Sequence, residues 1–259
     1  MAKHRVYLAA PLPRAGEPVE LSGPEARHAF RVKRIVAGDS VELLDGEGTI
    51  AGCIVEAARD QAGKKRRDPD LVLRIISVRT IEQTKPRLDV FTATPKGGHV
   101  DDLIDSLSQV GAAFWTPIRT EHAIVDPRNS KLERLARIAA EASKQCGRAW
   151  LLRIGPTADF DAVIQQASAP AGGSPDHPVT VLADATGSPY TPTGSANIRL
   201  LVGPEGGWTE RELRGAADAG ARIASFGPHI MRIETAAAVA AGIIHSTENA
   251  SALGRTPSA

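Results

Sequence analysis

Apolar and polar residues alternate in short runs over the first eighty residues, and turn-forming residues separate the runs. An alternation with a period of two predicts strands, because successive side chains of a strand point to opposite faces of the sheet. The predicted strands are Val6–Ala9, Ser40–Leu44, Thr49–Ala57 and Leu71–Val78. Short strands at this spacing indicate a small β-barrel.

Two segments within this region break the alternation. Pro24 and Glu25 have the residue types preferred in the first turn of a helix, so we predict a helix from Pro24 to Val36. The segment GKKRRDPD at 63–70 is predicted to be a charged hairpin tip. Such a tip is either a solvated turn or a phosphate contact.

From about residue 81 the strands alternate with longer helical segments, which is typical of an α/β fold with a largely parallel sheet. The predicted strands are Arg87–Thr94, Ala113–Ile118, Val179–Ala183, Ile198–Val202 and Arg222–Phe226. The predicted helices are Val100–Val110, Lys131–Ser143, Thr209–Ala219 and Glu234–Glu248. A loop rich in Pro, Gly and Ser at 168–178 is predicted to be a spacer.

The change of pattern near residues 78–86 predicts a domain boundary. We place a barrel domain at 1–78, an α/β domain at 79–250 and a frayed tail at 251–259.

Composition and charge limit the function classes. The chain of 259 residues is 42% hydrophobic and 24% charged, with a formal net charge of +1, so it lacks the global basic excess of a histone-like protein. Residues 1–80 hold 14 basic and 11 acidic residues, a mild local bias. A nucleic-acid partner would therefore need a local basic patch.

Other features argue against a metal site, a secretion signal and a membrane span. Cys53 and Cys146 lie far apart without a Cys/His cluster, so we expect no disulfide framework, no structural metal and a cytoplasmic location. The N-terminal residues lack the apolar segment of a secretion signal, and no run of about 18 apolar residues predicts a membrane span.

The densest group of glycines lies in LLVGPEGGWTERE at 200–212, where an apolar strand leads into a helix. Thr209 and Glu212 have the spacing of a capping box, which fixes the start of that helix. Glycines allow a ligand to approach the backbone closely because they carry no Cβ. The turn matches neither GxGxxG nor the GxxxxGK(S/T) phosphate loop, which disfavours a dinucleotide or ATP site.

A second loop, SFGPHIMRIETAAAVAAG at 225–242, again places Gly-Pro after a predicted strand and before an alanine-rich helix. Two such loops at the ends of successive parallel strands are expected to converge on one crevice. Arg232 lies among apolar residues at the mouth of the helix, where an arginine usually has an anionic partner. His229 and Met231 are predicted to be packing residues.

Several motifs occur together in the order found in one enzyme family. They are HAFRVKRIVAGDSVELLDGEG at 28–48, PKG at 95–97, TEH at 120–122, EASKQCGR at 141–148, LLVGPEGG at 200–207 and MRIETA at 231–236. Together they resemble the RsmE family of 16S ribosomal RNA uridine-N3 methyltransferases, members of the SPOUT superfamily. The resemblance covers nearly the whole chain.

This resemblance implies a fold, a cofactor and partners. The implied fold class is α/β, with a C-terminal SPOUT-type trefoil-knot methyltransferase domain preceded by a small PUA-like β-barrel domain that binds RNA. The implied cofactor is S-adenosylmethionine. The implied partners are 16S ribosomal RNA or the small ribosomal subunit and a second copy of the chain, with no membrane and no metal.

The resemblance also assigns binding residues. The implied cofactor pocket comprises Ala183, Asp184, Val202, Gly203, Gly207, Phe226, Gly227, Ile230, Met231 and Thr235. The predicted RNA-binding residues are His28, Arg31, Lys33, Arg34 and Arg148. Two of the quoted motifs depart from the family pattern: Lys33 replaces the leucine of Val-Leu-Arg, and His122 replaces the arginine of Ser-Glu-Arg.

Methylation of uridine at N3 requires the loss of an imide proton, because this nitrogen is a poor nucleophile until the proton leaves. The resulting negative charge spreads onto O2 and O4. We predict that Arg232 stabilises this charge, and that Glu205 or Glu234 is the base or orients Arg232. The alternative is that both glutamates are structural and accept hydrogen bonds from backbone N–H groups.

Two other functions stay open at this point. The first is a SPOUT-type enzyme that methylates another RNA position, such as a ribose 2′-hydroxyl or a different base, because a fold alone does not define its target. The second is a non-catalytic RNA-binding or ribosome-assembly factor. Both cofactor loops are intact in the sequence, which argues against the second alternative.

Overall fold

The computed structural model describes most of the chain, namely residues 4–59, 70–123, 129–167 and 177–253. The charged tip predicted at 63–70 lies outside the described residues except for Asp70, where a strand begins. Residues 168–176 of the predicted spacer and 254–259 of the predicted tail also lie outside them. No helix in the described ranges combines the length and the apolar character needed to cross a membrane.

The chain divides into two compact units. The first combines Met1–Gln83 with Ser143–Leu151, and the second combines Thr84–Ala142 with Leu152–Ala259. The return of Ser143–Leu151 to the first unit was not predicted. A local hydrophobic pattern identifies an element, but it carries no information about which distant segments that element packs against.

The described part of the first unit contains one helix and five strands. These elements are β1 (His4–Tyr7), β2 (Pro18–Leu21), α1 (Gly23–Arg31), β3 (Ser40–Leu44), β4 (Thr49–Arg59) and β5 (Asp70–Thr80). The strand order in the sheet is β1-β3-β4-β5-β2, with β1 parallel to β3 and the other pairs antiparallel. Every second residue from Leu71 to Ile75 is buried, as the alternating pattern predicted.

The helix α1 is shorter than predicted, because it ends at Arg31 rather than at Val36. Arg34 has a φ of 53°, a left-handed conformation that a right-handed helix cannot contain. This change of direction places Ile35, which is fully buried, in the hydrophobic core of the unit. Burial of Ile35 therefore overrides the helical pattern of the sequence.

The described part of the second unit contains seven strands and five helices. They are β6 (Arg87–Thr92), α2 (His99–Val110), β7 (Phe114–Arg119), α3 (Asn129–Cys146, whose last residues belong to the first unit), β8 (Arg153–Ile154), β9 (Ala158–Asp159), α4 (Phe160–Gln165), β10 (Val179–Pro189), β11 (Asn197–Val202), α5 (Glu210–Asp218), β12 (Arg222–Ser225) and α6 (Ile233–Ala252). The strand order is β12-β10-β11-β6-β7-β8, and β9 pairs with β7. All the pairs are parallel, which confirms the predicted parallel sheet.

Several boundaries differ from the prediction. The strand β10 continues to Pro189 because residues after Ala183 pair again with β12 in a shifted register. The helix α6 continues to Ala252, so the tail predicted to fray from residue 251 begins inside a helix. The short elements β2, β8, β9 and α4 were not predicted, because runs of two to six residues carry too little periodic signal.

A buried carboxylate connects the segment after β10 to the last helix. Glu248 of α6 accepts hydrogen bonds from the Tyr190 hydroxyl at 2.6 Å, the Thr193 N–H at 2.6 Å, the Thr193 hydroxyl at 2.8 Å and the Gly194 N–H at 3.0 Å. Burial by itself would raise the pKa of Glu248, but these donors outweigh it and hold the pKa below its usual value. Glu248 is therefore a carboxylate at neutral pH.

We expect Glu248→Gln to lower the free energy of unfolding by about 1–3 kcal/mol at pH 7, because an amide N–H₂ replaces one accepting oxygen. A carboxyl group whose pKa is lowered by folding stabilises the protein above its unfolded-state pKa, and this contribution is lost as the pH falls through the folded-state pKa. The variant should therefore lose less stability between pH 7 and pH 4 than the wild-type protein. Urea unfolding at the two pH values measures the difference.

The control for this experiment is Glu210→Gln, because Glu210 is exposed on α5 and forms an ion pair with Arg214 at the surface. Its unfolding midpoint should not change. If Glu248→Gln behaved like this control, the hydrogen bonds of Glu248 would contribute nothing to stability.

Candidate functional site

A pocket of about 300 Å³ opens in the second unit at the carboxyl ends of β11, of β12 and of the first pairing segment of β10. Its walls come from three segments, with Ala236 of α6 in addition. They are residues 183–185 at the end of the first pairing segment of β10, residues 202–208 from the end of β11 onward, and residues 225–227 and 229–231 from the end of β12 onward. The two glycine-containing loops of the sequence therefore line one crevice, as their positions at strand ends predicted.

The structure gives a position to each predicted site residue of this unit. All the predicted cofactor residues except Thr235 line the pocket. Among the predicted catalytic residues, Glu205 lines it, whereas Arg232 and Glu234 follow the lining residue Met231 in sequence. The roles assigned to these residues stay predictions.

The GPEGG turn is held in shape by its own backbone and by Trp208. The Gly207 N–H donates to the Pro204 carbonyl at 2.9 Å, and Gly207 has a φ of 72°, which favours glycine. The Trp208 indole N–H donates to the Ala183 carbonyl at 3.0 Å, which connects the turn to β10. A Cβ on Gly203 would lie 2.8 Å from the Trp208 ring, so only glycine fits there without movement of the ring.

The start of α5 confirms the predicted capping box. The Thr209 N–H donates to the Glu212 carboxylate at 2.9 Å, and the Glu212 N–H donates to the Thr209 hydroxyl oxygen at 3.2 Å. Glu212 also accepts the Glu121 N–H at 3.0 Å, and Arg211 forms ion pairs with Glu121 and Asp161. The helix that follows the GPEGG turn is therefore connected to the turn after β7.

Sequence reasoning missed one residue that contacts the GPEGG turn. His122 places Nδ1 3.1 Å from the Gly206 carbonyl oxygen and 3.0 Å from the Gly207 carbonyl oxygen. Its membership of the TEH motif was visible in the sequence, but nothing in the spacing indicated a contact with residues more than eighty positions away.

The second loop presents both apolar and charged groups beside the pocket. The Phe226 ring stacks on Tyr190 with centroids 5.3 Å apart, and Ile230 is 92% exposed. Arg232 is the N-cap residue of α6, and its side chain is exposed and forms no cap hydrogen bond. Glu234 lies two residues further on, in the first turn of α6, with its carboxylate 3.7 Å from Nδ1 of His99 on α2.

The predicted RNA-binding residues belong to the first unit and differ in exposure. Arg31 and Arg34 are exposed, whereas His28 is half-buried. The Lys33 ammonium donates to the Arg5 carbonyl at 2.5 Å, so Lys33 has a role within the fold. Burial lowers the pKa of Arg148 to about 10, which still leaves this half-buried guanidinium charged at neutral pH.

No group of three or more His, Cys, Asp or Glu side chains in the described parts of either unit is arranged to hold a metal ion.

Two family models match the chain. Residues 82–245 match a model described as an RNA methyltransferase domain, and residues 21–62 match a model described as an RNA methyltransferase PUA domain. The chain is also 30% identical over 236 residues to the ribosomal RNA small subunit methyltransferase E of Synechocystis, covering 88% of this chain and 73% of that protein.

Solved structures share the fold. A ribosomal RNA small subunit methyltransferase E from Neisseria gonorrhoeae, bound to S-adenosyl methionine, matches with a TM-score of 0.80 at 23% identity, covering 94% of this chain and 97% of that one. A probable rRNA-methyltransferase from Porphyromonas gingivalis matches with a TM-score of 0.73 at 26% identity, covering 88% and 92% of the two chains.

These likenesses confirm the predicted fold class, a SPOUT-type α/β methyltransferase domain preceded by a small PUA-like domain. The methyltransferase model matches more than half of the chain, and the curated relative matches most of it. The chain therefore belongs to the ribosomal RNA small subunit methyltransferase E family of RNA methyltransferases.

Proposed function

We propose that this protein transfers the methyl group of S-adenosylmethionine to N3 of a uridine in 16S ribosomal RNA of the small subunit. The observation that carries the proposal is the pocket formed by three adjacent parallel strands, β10, β11 and β12, and lined by the GPEGG turn and by the loop before α6. Relatives that are named ribosomal RNA small subunit methyltransferase E support it, including one that was solved with this cofactor.

The residues of the pocket fit such a cofactor. A volume of about 300 Å³ is at the lower end of the range for small-molecule sites. Val202, Phe226 and Met231 offer apolar surfaces for a purine, and the carboxylates of Asp184 and Glu205 can accept hydrogen bonds from hydroxyl or ammonium groups. When bound, S-adenosylmethionine supplies a methyl group on a positively charged sulfur.

The residues of the chain must then remove the N3 proton of the uridine and stabilise the negative charge that remains. Glu205 is the predicted base that lines the pocket, whereas the Glu234 carboxylate faces His99 on α2. We therefore favour Glu205 as the proton acceptor and Glu234 as a structural residue. Arg232 is exposed at the positive end of α6, where its guanidinium can stabilise the charge on O2 and O4.

A methyl-transfer assay tests the proposed function directly. The protein is incubated with radiolabelled S-adenosylmethionine and either small-subunit particles or naked 16S RNA, and the labelled nucleotide is then identified. We expect label at N3 of one uridine. Label at a ribose or at another base would replace the proposed target, and RNA binding without cofactor binding would indicate a non-catalytic factor.

The same proposal includes a cytoplasmic protein that acts as a homodimer, as the family resemblance implies. It also includes RNA binding by the first unit, where the exposed cations among the predicted residues are Arg31, the last residue of α1, and Arg34, three residues after it.

Reversing these two charges should weaken RNA binding without changing cofactor affinity. We expect the variant Arg31→Glu/Arg34→Glu to lower the slope of log Kd against log salt concentration by about 0.7–0.9 for each phosphate contact that is lost. Fluorescence anisotropy with a labelled 16S RNA fragment at several salt concentrations measures this slope, and calorimetry measures the affinity for S-adenosylmethionine.

The matched control reverses two exposed arginines on helices of the second unit, Arg137 and Arg214. It changes the net charge by the same amount and should leave the slope close to that of the wild-type protein. Lys33→Gln should also have little effect on the slope, because the Lys33 ammonium is bonded to the Arg5 carbonyl. An unchanged slope in Arg31→Glu/Arg34→Glu would show that the end of α1 does not contact RNA.

A further inference from the structure

One imidazole nitrogen faces two backbone carbonyls of the GPEGG turn. Nδ1 of His122 lies 3.1 Å from the Gly206 oxygen and 3.0 Å from the Gly207 oxygen. Carbonyl oxygens only accept hydrogen bonds, so this nitrogen carries a hydrogen and donates to both. Because the two carbonyls belong to successive residues, a single donor fixes the orientation of two consecutive peptide groups.

The position of His122 is itself fixed by the turn that carries it. Backbone hydrogen bonds of 3.1 and 3.3 Å join Thr120 and Ala123 across the base of the turn. Between them, the Glu121 N–H donates to the Glu212 carboxylate at 3.0 Å. Glu212 is 1% exposed and also closes the capping box of α5, so its position is well determined. His122 is therefore held by groups outside the GPEGG turn.

His122 contacts the turn from outside the pocket. A Cβ on Gly206 would lie 3.2 Å from the His122 Cβ, which shows how closely the side chain packs on the turn. Gly206 and Gly207 line the pocket, whereas His122 does not. The hydrogen bonds of His122 therefore act on two residues of the pocket wall, although His122 itself does not line the pocket.

We propose that His122 is a positioning residue for cofactor binding: its Nδ1–H fixes the Gly206 and Gly207 peptide groups in the orientation that S-adenosylmethionine requires. This inference rests on the proposed function. It assigns a contact with the GPEGG turn to the third residue of the TEH motif. In this inference the hydrogen-bond donor of the imidazole, and not the bulk of the ring, determines the affinity for the cofactor. Because the hydrogen bonds of His122 fix the GPEGG turn before the cofactor binds, the turn loses less conformational freedom on binding.

Two substitutions separate the donor from the bulk. His122→Phe keeps a ring and removes the donor, whereas His122→Asn removes the ring and keeps a donor nitrogen at a similar distance along the side chain. We expect His122→Phe to weaken S-adenosylmethionine binding about three- to tenfold, since that is the effect of losing a typical hydrogen bond, and His122→Asn to remain within about twofold of wild type. Calorimetry measures both affinities, with His4→Phe as the control, since His4 is an exposed residue of β1.

A second measurement needs no cofactor. In the cofactor-free protein, amide hydrogen exchange of Gly203 and of residues 205–208 should be faster in His122→Phe and near the wild-type rate in His122→Asn. Unchanged affinity and exchange in His122→Phe would overturn the inference, and so would equal losses in both variants, which would assign the effect to ring packing. If the wild-type protein did not bind S-adenosylmethionine, the proposed function would fail, and the exchange rates would still decide whether the imidazole fixes the turn.

Discussion

Arg232→Ala is expected to lower the rate of methyl transfer about 10²- to 10³-fold, while the affinity for S-adenosylmethionine changes by less than about threefold. A loss of rate of this size is expected when an enzyme loses one preorganised group that stabilises a developing negative charge. The side chain of Arg232 is exposed, does not line the pocket and forms no cap hydrogen bond to α6, so its removal should leave the helix and the pocket unchanged.

Single-turnover methyl transfer with saturating cofactor measures the rate, and calorimetry measures the affinity. Arg137→Ala is the control, since Arg137 is an exposed arginine on α3. Arg232→Lys should recover only part of the rate, because a point charge cannot replace a planar guanidinium that faces two uracil oxygens. Equal losses of rate and affinity in Arg232→Ala would make Arg232 a binding residue rather than a catalytic one.

The parts of this fold that the sequence predicted are those encoded by local patterns. The alternation along Leu71–Ile75 predicted buried positions in a strand, and the Thr209–Glu212 spacing predicted a capping box. The pocket could be anticipated because glycine-containing loops that follow parallel strands meet at one edge of a sheet.

The features of the fold and the site that could not be predicted from the sequence depend on contacts between distant residues. His122 and Gly206 are 84 positions apart, and no periodicity connects them. The hydrogen bond from the Lys33 ammonium to the Arg5 carbonyl joins residues 28 positions apart, and charge counts do not reveal it. The early end of α1 required the knowledge that Ile35 belongs to the core of the unit.

Gly203→Ala is expected to reduce the affinity for S-adenosylmethionine at least tenfold and to lower the thermal midpoint. The added Cβ would lie 2.8 Å from Cε2 of the Trp208 ring and 3.0 Å from its nitrogen. The ring is 8% exposed, donates to the Ala183 carbonyl at 3.0 Å and packs on Phe160 with centroids 5.1 Å apart. Because the ring cannot yield without breaking these contacts, the strain falls on the pocket wall, and overpacking of this kind costs about 1–3 kcal/mol.

The chain offers a matched control and a rescue for this experiment. Gly215→Ala makes the same chemical change on α5, where an added Cβ meets nothing within 4 Å, and should leave binding unchanged while stabilising the helix slightly. Adding Trp208→Phe to Gly203→Ala replaces the indole with a smaller ring and should recover part of the lost affinity, a coupling that a double-mutant cycle measures. Full binding by Gly203→Ala alone would show that the GPEGG turn tolerates a side chain at its first glycine, and that the close approach of Trp208 does not shape the pocket.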